Sequence, residues 1–142
     1  TEAVYLPFHN ALHGEIARRI ALGRPPVIVT IHSFTPIYFG KPRDVEFGVI
    51  HDADPGLALN VVDQARAQTT LNTRLNEPYS AADSVTHTLR LQATPYGLAN
   101  VMLEIRNDLI AHPQAEDDMA HKLAPVLRSA LSELQRGRHR SP

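Results

Sequence analysis

The sequence places a histidine directly after a run of apolar residues. Residues 27–31 are almost all β-branched, and His32 follows them. A neutral imidazole at the end of a buried strand can bind zinc through one nitrogen while another group holds its second nitrogen. The alternative is a hydrogen-bonded histidine that only stabilises the strand end, because most histidines are not metal ligands.

A glutamate interrupts a second apolar run. Glu104 lies within residues 101–105, whose other members are all apolar. Glutamate is almost never buried without a partner, because an unpaired carboxylate in the interior costs several kcal/mol. Beside a metal-bound water, such a carboxylate could act as the general base of a hydrolase. The alternative is a salt bridge to Arg106, which lies two positions on and so on the same side of the strand.

Three further acidic or histidine residues and one tyrosine are weaker candidates. His51, Asp52 and Asp54 lie close together and could ligate a metal, but turn formation and helix capping also explain them. Tyr79 lies between Pro78 and Ser80 in an irregular stretch, where its phenol could contact a substrate or simply pack.

The elements that must position these residues can be read from hydrophobic periodicity and from proline and glycine. The pattern predicts helices at 7–22, 55–68, 84–94 and 114–135 (with a kink or break at Pro125), strands at 27–31, 45–50 and 100–105, a loop at 35–44 and an irregular stretch at 69–83.

This alternation of helices and strands predicts an α/β fold with a mostly parallel sheet flanked by helices. Residues 1–136 are expected to form one domain, and 137–142 a basic tail. Ligand sites in such sheets lie beyond the carboxyl ends of the strands, so we expect His32 and Glu104 to open into one cleft.

Composition excludes several classes of protein. The 142 residues include no cysteine and carry a net charge of −1. Disulfides and thiolate metal sites are therefore excluded, and nucleic acid is a poor candidate partner. No apolar run is long enough to span a membrane, and no signal peptide is present, so we expect a cytoplasmic protein with no membrane partner. The start at Thr1, inside an amphipathic pattern, predicts a piece of a larger protein.

Four stretches together resemble the N-formylglutamate amidohydrolase family. They are Val-Ile-Val-Thr-Ile-His-Ser-Phe-Thr-Pro (27–36), Asn-Glu-Pro-Tyr-Ser (76–80), Thr-His-Thr-Leu (86–89) and Gly-Leu-Ala-Asn-Val-Met-Leu-Glu-Ile-Arg-Asn-Asp-Leu-Ile (97–110). The family is similar in fold to zinc-dependent exopeptidases of the phosphorylase/hydrolase-like type. The resemblance covers only the C-terminal part of the family's domain, which implies a fold incomplete at its N-terminus.

The resemblance implies roles for five residues. His32 is implied as a zinc ligand and Glu104 as the general base, with the remaining zinc ligands expected from residues that precede Thr1. Tyr79, Arg43 and Arg106 are the substrate-binding candidates. Arg43 suits a substrate carboxylate, because a guanidinium pairs with a carboxylate through two parallel hydrogen bonds.

The implied function is zinc-dependent hydrolysis of N-formyl-L-glutamate to formate and glutamate, with a small acylated amino acid as the substrate. One alternative is a zinc hydrolase of the same fold that acts on another acyl-amino acid or a peptide. The other is a non-catalytic, truncated remnant or binding module. Gln92 stands where family members often carry histidine, which puts activity in question. A truncated sheet would also expose an apolar edge, so we expect self-association.

Overall fold

The structure, a computed structural model, describes residues 2–138. Its helices and strands are α1 (Glu2–Ala21), β1 (Ile28–Phe34), β2 (Ile37–Tyr38), β3 (Lys41–Pro42), β4 (Phe47–Ile50), α2 (Gly56–Gln68), β5 (Thr73–Leu75), α3 (His87–Gln92), β6 (Asn100–Arg106) and α4 (Pro113–Arg138). Short 3₁₀ turns occur at Ala81–Asp83, Thr94–Tyr96 and Asn107–Ile110.

Four strands form the central sheet, in the order β1-β6-β4-β5. The pairs β1–β6 and β4–β5 are parallel, and β4–β6 is antiparallel. Strands β2 and β3 form a separate antiparallel hairpin. The predicted α/β fold, with a mostly parallel sheet flanked by helices, is therefore confirmed.

The main core lies between one face of this sheet and the helices α2 and α4. Alternation along each strand directs Leu103 and Ile105 of β6, and Phe47 and Val49 of β4, to this face. The helices contribute the buried residues Leu57, Ala58, Val61, Val62, Ala65, Met119, Leu123, Val126 and Ala130. Glu104, between Leu103 and Ile105, consequently belongs to the opposite face.

The opposite face carries smaller clusters. Ile50 and Met102 pack there with Leu89 of α3, and Tyr79 is partly buried against them. Helix α1 is held nearby through Ile16, which packs with residues that follow α3. This face therefore has less apolar cover than the main core, and Glu104 lies on it.

Several boundaries differ from the sequence predictions. Strand β1 continues to Phe34, so His32 lies inside the strand rather than after it. The predicted loop 35–44 contains the β2–β3 hairpin, and the irregular stretch 69–83 contains β5. These strands have two or three residues each, which is too short for alternation to reveal.

Pro7 does not begin α1 and Pro125 does not break α4, while the kink that was the other alternative at Pro125 stays a prediction. Helix α1 begins five residues before Pro7, and α4 runs unbroken through Pro125. A proline inside a helix costs about 3 kcal/mol. In α4 the burial of Leu123 and Val126 on either side of Pro125 favours the continuous helix over a break. Of the predicted basic tail, residues 137 and 138 belong to α4, and 139–142 lie outside the described residues.

None of the helices in residues 2–138 has both the length and the hydropathy that crossing a membrane requires. The cytoplasmic location stays a prediction.

Candidate active site

His32 and Glu104 are register partners on neighbouring strands. In the parallel pair β1–β6, His32 lies opposite Glu104, and Glu104 lies opposite Gly48 of β4. Residues paired in this way direct their side chains to the same face of a sheet. The sheet therefore brings the two predicted site residues into one row on the face opposite the main core.

Glu104 is a buried carboxylate with one oxygen that is unpartnered among residues 2–138. Its residue is 3% exposed, and its Oε2 atom has no hydrogen-bond partner within the described residues. Burial raises the pKa of Glu104 to about 7, and the positive charge of Arg43 offsets only part of this increase. A carboxyl group with a pKa near neutrality can both accept and release a proton at physiological pH.

The alternative salt bridge between Glu104 and Arg106 is not formed. Arg106 instead pairs with Asp108 at 2.8 Å and with Glu46 at 3.7 Å. Its Nη1 group also donates a hydrogen bond of 3.0 Å to the backbone carbonyl of Arg43. Arg106 therefore helps to fix the segment that carries Arg43, and its predicted contact with substrate stays a prediction.

Arg43 lies against three aromatic rings. Its Cζ atom is 4.3 Å from the ring centre of Tyr38, 5.2 Å from that of Tyr79 and 5.5 Å from that of Phe34. Its Nη2 group donates to the Tyr79 hydroxyl at 3.3 Å, and Nη1 donates to the Thr35 carbonyl at 3.3 Å. The structure thus brings Arg43 and Tyr79 together and places the charge of Arg43 close enough to act on Glu104.

Gly48 makes room for the loop that carries Tyr79. A Cβ atom at position 48 would overlap the carbonyl oxygen of Glu77 and would lie 3.2 Å from Cβ of Glu104. The loop backbone can therefore approach the sheet directly beside the carboxylate only because residue 48 has no side chain.

The sequence of the chain matches the model of a known family. The family model for N-formylglutamate amidohydrolase matches residues 1–111. The chain belongs to the N-formylglutamate amidohydrolase family. This confirms the resemblance found in the sequence.

A solved structure from Agrobacterium tumefaciens is similar to this family member. It is 49% identical and superposes with a TM-score of 0.91 over 95% of this chain. The shared part is 53% of the Agrobacterium protein, so this chain spans about half the length of that relative. No curated protein matches the chain.

Residues 2–138 do not by themselves provide a complete set of zinc ligands. A catalytic zinc site commonly has three protein ligands. Residues 2–138 contain no group of three or more His, Cys, Asp or Glu side chains that could hold a metal ion. His32 is exposed and is available as a single ligand.

Hydrogen bonds to other residues of the fold account for the cluster of His51, Asp52 and Asp54. His51 contacts the Asp52 carbonyl at 2.9 Å and the Asn76 side chain at 3.0 Å. The two carboxylate oxygens of Asp52 accept hydrogen bonds from threonine hydroxyls at 2.9 and 2.8 Å. Asp54 accepts the N–H of Gly56 at the start of α2.

Gln92 is 2% exposed and contacts α1. Its Nε2 group lies 3.2 Å from His9 Nδ1 and 3.3 Å from the His9 carbonyl oxygen. Gln92 therefore links α3 to α1 through these polar contacts.

Sequence reasoning missed Gly48, Phe34 and Tyr38. A glycine inside a strand signals close approach of another backbone, so Gly48 could have been found. The two aromatic residues gave no such signal, because their contact with Arg43 depends on the hairpin that the sequence did not reveal.

Proposed function

We propose that this chain supplies the general base and the substrate-binding residues of an amide hydrolase that acts on N-formyl-L-glutamate. The observation that supports this most is Glu104, a buried carboxylate with an unpartnered oxygen and a pKa raised to about 7. Burial without a partner destabilises the fold, so a role in proton transfer accounts for its presence better than a structural role does.

The proposed reaction adds water to the formyl carbonyl group. Glu104 takes a proton from the attacking water as the new C–O bond forms. It then delivers that proton to the nitrogen as the C–N bond breaks, which gives formate and glutamate. The second proton of the water leaves the formic acid and is taken up by the glutamate amine, so charge balances and the Glu104 carboxylate is regenerated for the next cycle.

Arg43 and Tyr79 are the proposed substrate contacts. Arg43 has no carboxylate of residues 2–138 within ion-pair distance, so its charge is free to meet a carboxylate of the substrate. Tyr79 reaches the same guanidinium through its hydroxyl, which places both polar groups at one position. A formyl amino acid matches this arrangement through its α-carboxylate or through an acidic side chain.

We also propose His32 as a zinc ligand. Because the described residues do not hold the ion alone, further ligands would have to come from outside them. Metal analysis of the purified full-length protein tests this directly. We expect bound zinc, and we expect His32→Ala to remove it.

The test of the function is formate release from N-formyl-L-glutamate by the wild type, Glu104→Gln and Glu104→Asp. Loss of the base should reduce kcat by about 10²–10⁴-fold in Glu104→Gln, with partial activity in Glu104→Asp. Activity that survives in Glu104→Gln contradicts the proposed role. If the protein hydrolyses another acyl-amino acid or a peptide but not N-formyl-L-glutamate, the alternative of a hydrolase of the same fold with a different substrate is favoured. A protein with neither bound metal nor activity would be the non-catalytic module.

A further inference from the structure

The hairpin beside the site controls the surroundings of Arg43. Strands β2 and β3 pair Tyr38 with Lys41, so Phe39 and Gly40 form a two-residue turn. The N–H group of Arg43 donates to the Pro36 carbonyl at 2.8 Å and closes the base of the hairpin. Arg43 and Tyr38 are therefore held on the same short element, with the guanidinium 4.3 Å from the ring centre.

Tyr38 acts on Arg43 through its ring rather than its hydroxyl. The hydroxyl of Tyr38 makes no hydrogen bond to any residue between 2 and 138. A guanidinium against an aromatic face is attracted by the ring's quadrupole, while its N–H donors, which lie in the guanidinium plane, stay available.

Most of the donors of Arg43 are unused. A guanidinium has five N–H donors, and only two of those in Arg43 have partners within the described residues. Both partners are neutral oxygens, one from Thr35 and one from Tyr79. The positive charge is therefore held in place by rings and dipoles, with no ion pair to a carboxylate of residues 2–138.

We propose that Tyr38 is a positioning residue that holds Arg43 for a substrate carboxylate and so sets the preference for acidic over amidated substrates. The inference rests on the proposed function, and it adds a residue and an element, the β2–β3 hairpin, that determine selectivity. A charged group fixed before binding loses little side-chain freedom when the ligand arrives, which favours a carboxylate over a neutral amide.

The first test measures the guanidinium itself. The Nε–Hε NMR signal of Arg43, assigned by its loss in Arg43→Lys, is compared in the wild type, Tyr38→Leu and Tyr38→Phe. We expect Tyr38→Leu to remove the ring-current shift that Tyr38 contributes and to increase the mobility of this group. The matched control Tyr38→Phe keeps the ring and should leave the signal close to that of the wild type.

The second test measures selectivity. Kinetics are compared for N-formyl-L-glutamate, which has two free carboxylates, and for N-formyl-L-glutamine and N-formyl-L-isoglutamine. In these two amides the side-chain carboxylate and the α-carboxylate, respectively, are amidated. Tyr38→Leu should raise KM for the acidic substrate about two- to fivefold, the size of a cation–π contact with an exposed ring, and leave kcat within about twofold. The difference between the acid and the amide should shrink, and Tyr38→Phe should restore it.

The two tests separate failure of the inference from failure of the proposed function. If no formyl amino acid is hydrolysed, the function fails, and titration with glutarate and glutaramide decides the inference. The inference is supported if glutarate shifts the Arg43 signal and glutaramide does not, and if Tyr38→Leu abolishes the shift caused by glutarate. An Arg43 signal unchanged in Tyr38→Leu, equal effects of Tyr38→Leu and Tyr38→Phe, or a fall in kcat at constant KM overturns it.

Discussion

His32 and Glu104 lie opposite each other on parallel strands, yet only Glu104 is buried. The exposed imidazole is on β1, whose outer edge pairs with no strand of residues 2–138, whereas the carboxylate is enclosed between β1 and β4. At this position of the sheet, an exposed histidine, a residue type that often binds metals, lies opposite a buried carboxyl group of raised pKa. This contrast leads to predictions about how the protein responds to pH.

Activity should rise with pH through about 7. Burial raises the pKa of Glu104 to about 7, and a general base must be ionised to accept a proton. Below this pH we expect log(kcat/KM) for N-formyl-L-glutamate to increase by one for each pH unit, and above it to level off. A profile that is already flat between pH 5 and 7 would contradict ionised Glu104 as the base.

Replacing Glu104 with glutamine should stabilise the fold at alkaline pH. The folded-state pKa of Glu104 is raised above its ordinary value of 4.5, so its proton contributes stability that is fully present below about pH 4.5 and lost as pH rises through 7. Glutamine does not ionise. Glu104→Gln should therefore gain about 1–3 kcal/mol relative to the wild type between pH 5 and pH 8.

Urea unfolding at several pH values measures this difference. The control is Glu116→Gln, which removes the same charge from an exposed position on α4 and separates burial from net charge. Equal changes with pH in both variants would show that burial of Glu104 does not set its pKa.

The pairing of His32 with Glu104 was predictable in part. His32 follows an apolar run and Glu104 interrupts another. Residues near the carboxyl ends of parallel strands lie at the same edge of the sheet. The strand order was not predictable, because the antiparallel pairing of β4 with β6 depends on long-range contacts that no local pattern encodes. Nor could the sequence tell whether Glu104 forms a salt bridge with Arg106. Arg106 pairs instead with Asp108 and with Glu46, and its contact with Glu46 forms only in the folded chain.

Adding one methyl group at Gly48 should disturb the site. The Cβ atom of Gly48→Ala would overlap the Glu77 carbonyl oxygen, so the loop carrying Tyr79 must move. We expect a loss of about 1–3 kcal/mol in unfolding free energy, typical of overpacking, together with a fall in activity. The control is Gly14→Ala in α1, where a Cβ atom has no neighbour within 4 Å. That substitution should stabilise by up to about 1 kcal/mol, and a similar gain in Gly48→Ala would contradict the close approach.

The hairpin turn stores strain at Phe39. Phe39 and Gly40 have φ values of +48° and +74°, a conformation for which Asn-Gly is the preferred sequence. The Phe39 side chain is 87% exposed, so little burial is lost when it is replaced. Phe39→Asn should therefore raise the unfolding free energy by about 1 kcal/mol, whereas Phe39→Leu should not. Equal stability of the two variants in urea unfolding would show that backbone strain is not the cause.

The open edge of β1 should cause self-association. Ile31 is 66% exposed on this strand and borders an apolar groove of about 320 Å³ between the sheet and α4. Unpaired backbone groups beside exposed apolar side chains favour pairing with a second copy, and a charge on an edge strand opposes it. Ile31→Lys should shift sedimentation profiles toward the monomer at concentrations where the wild type associates. The control is Leu59→Lys on α2, which replaces another exposed apolar residue away from any sheet edge. If Leu59→Lys dissociates the protein equally well, added charge rather than the β1 edge controls association.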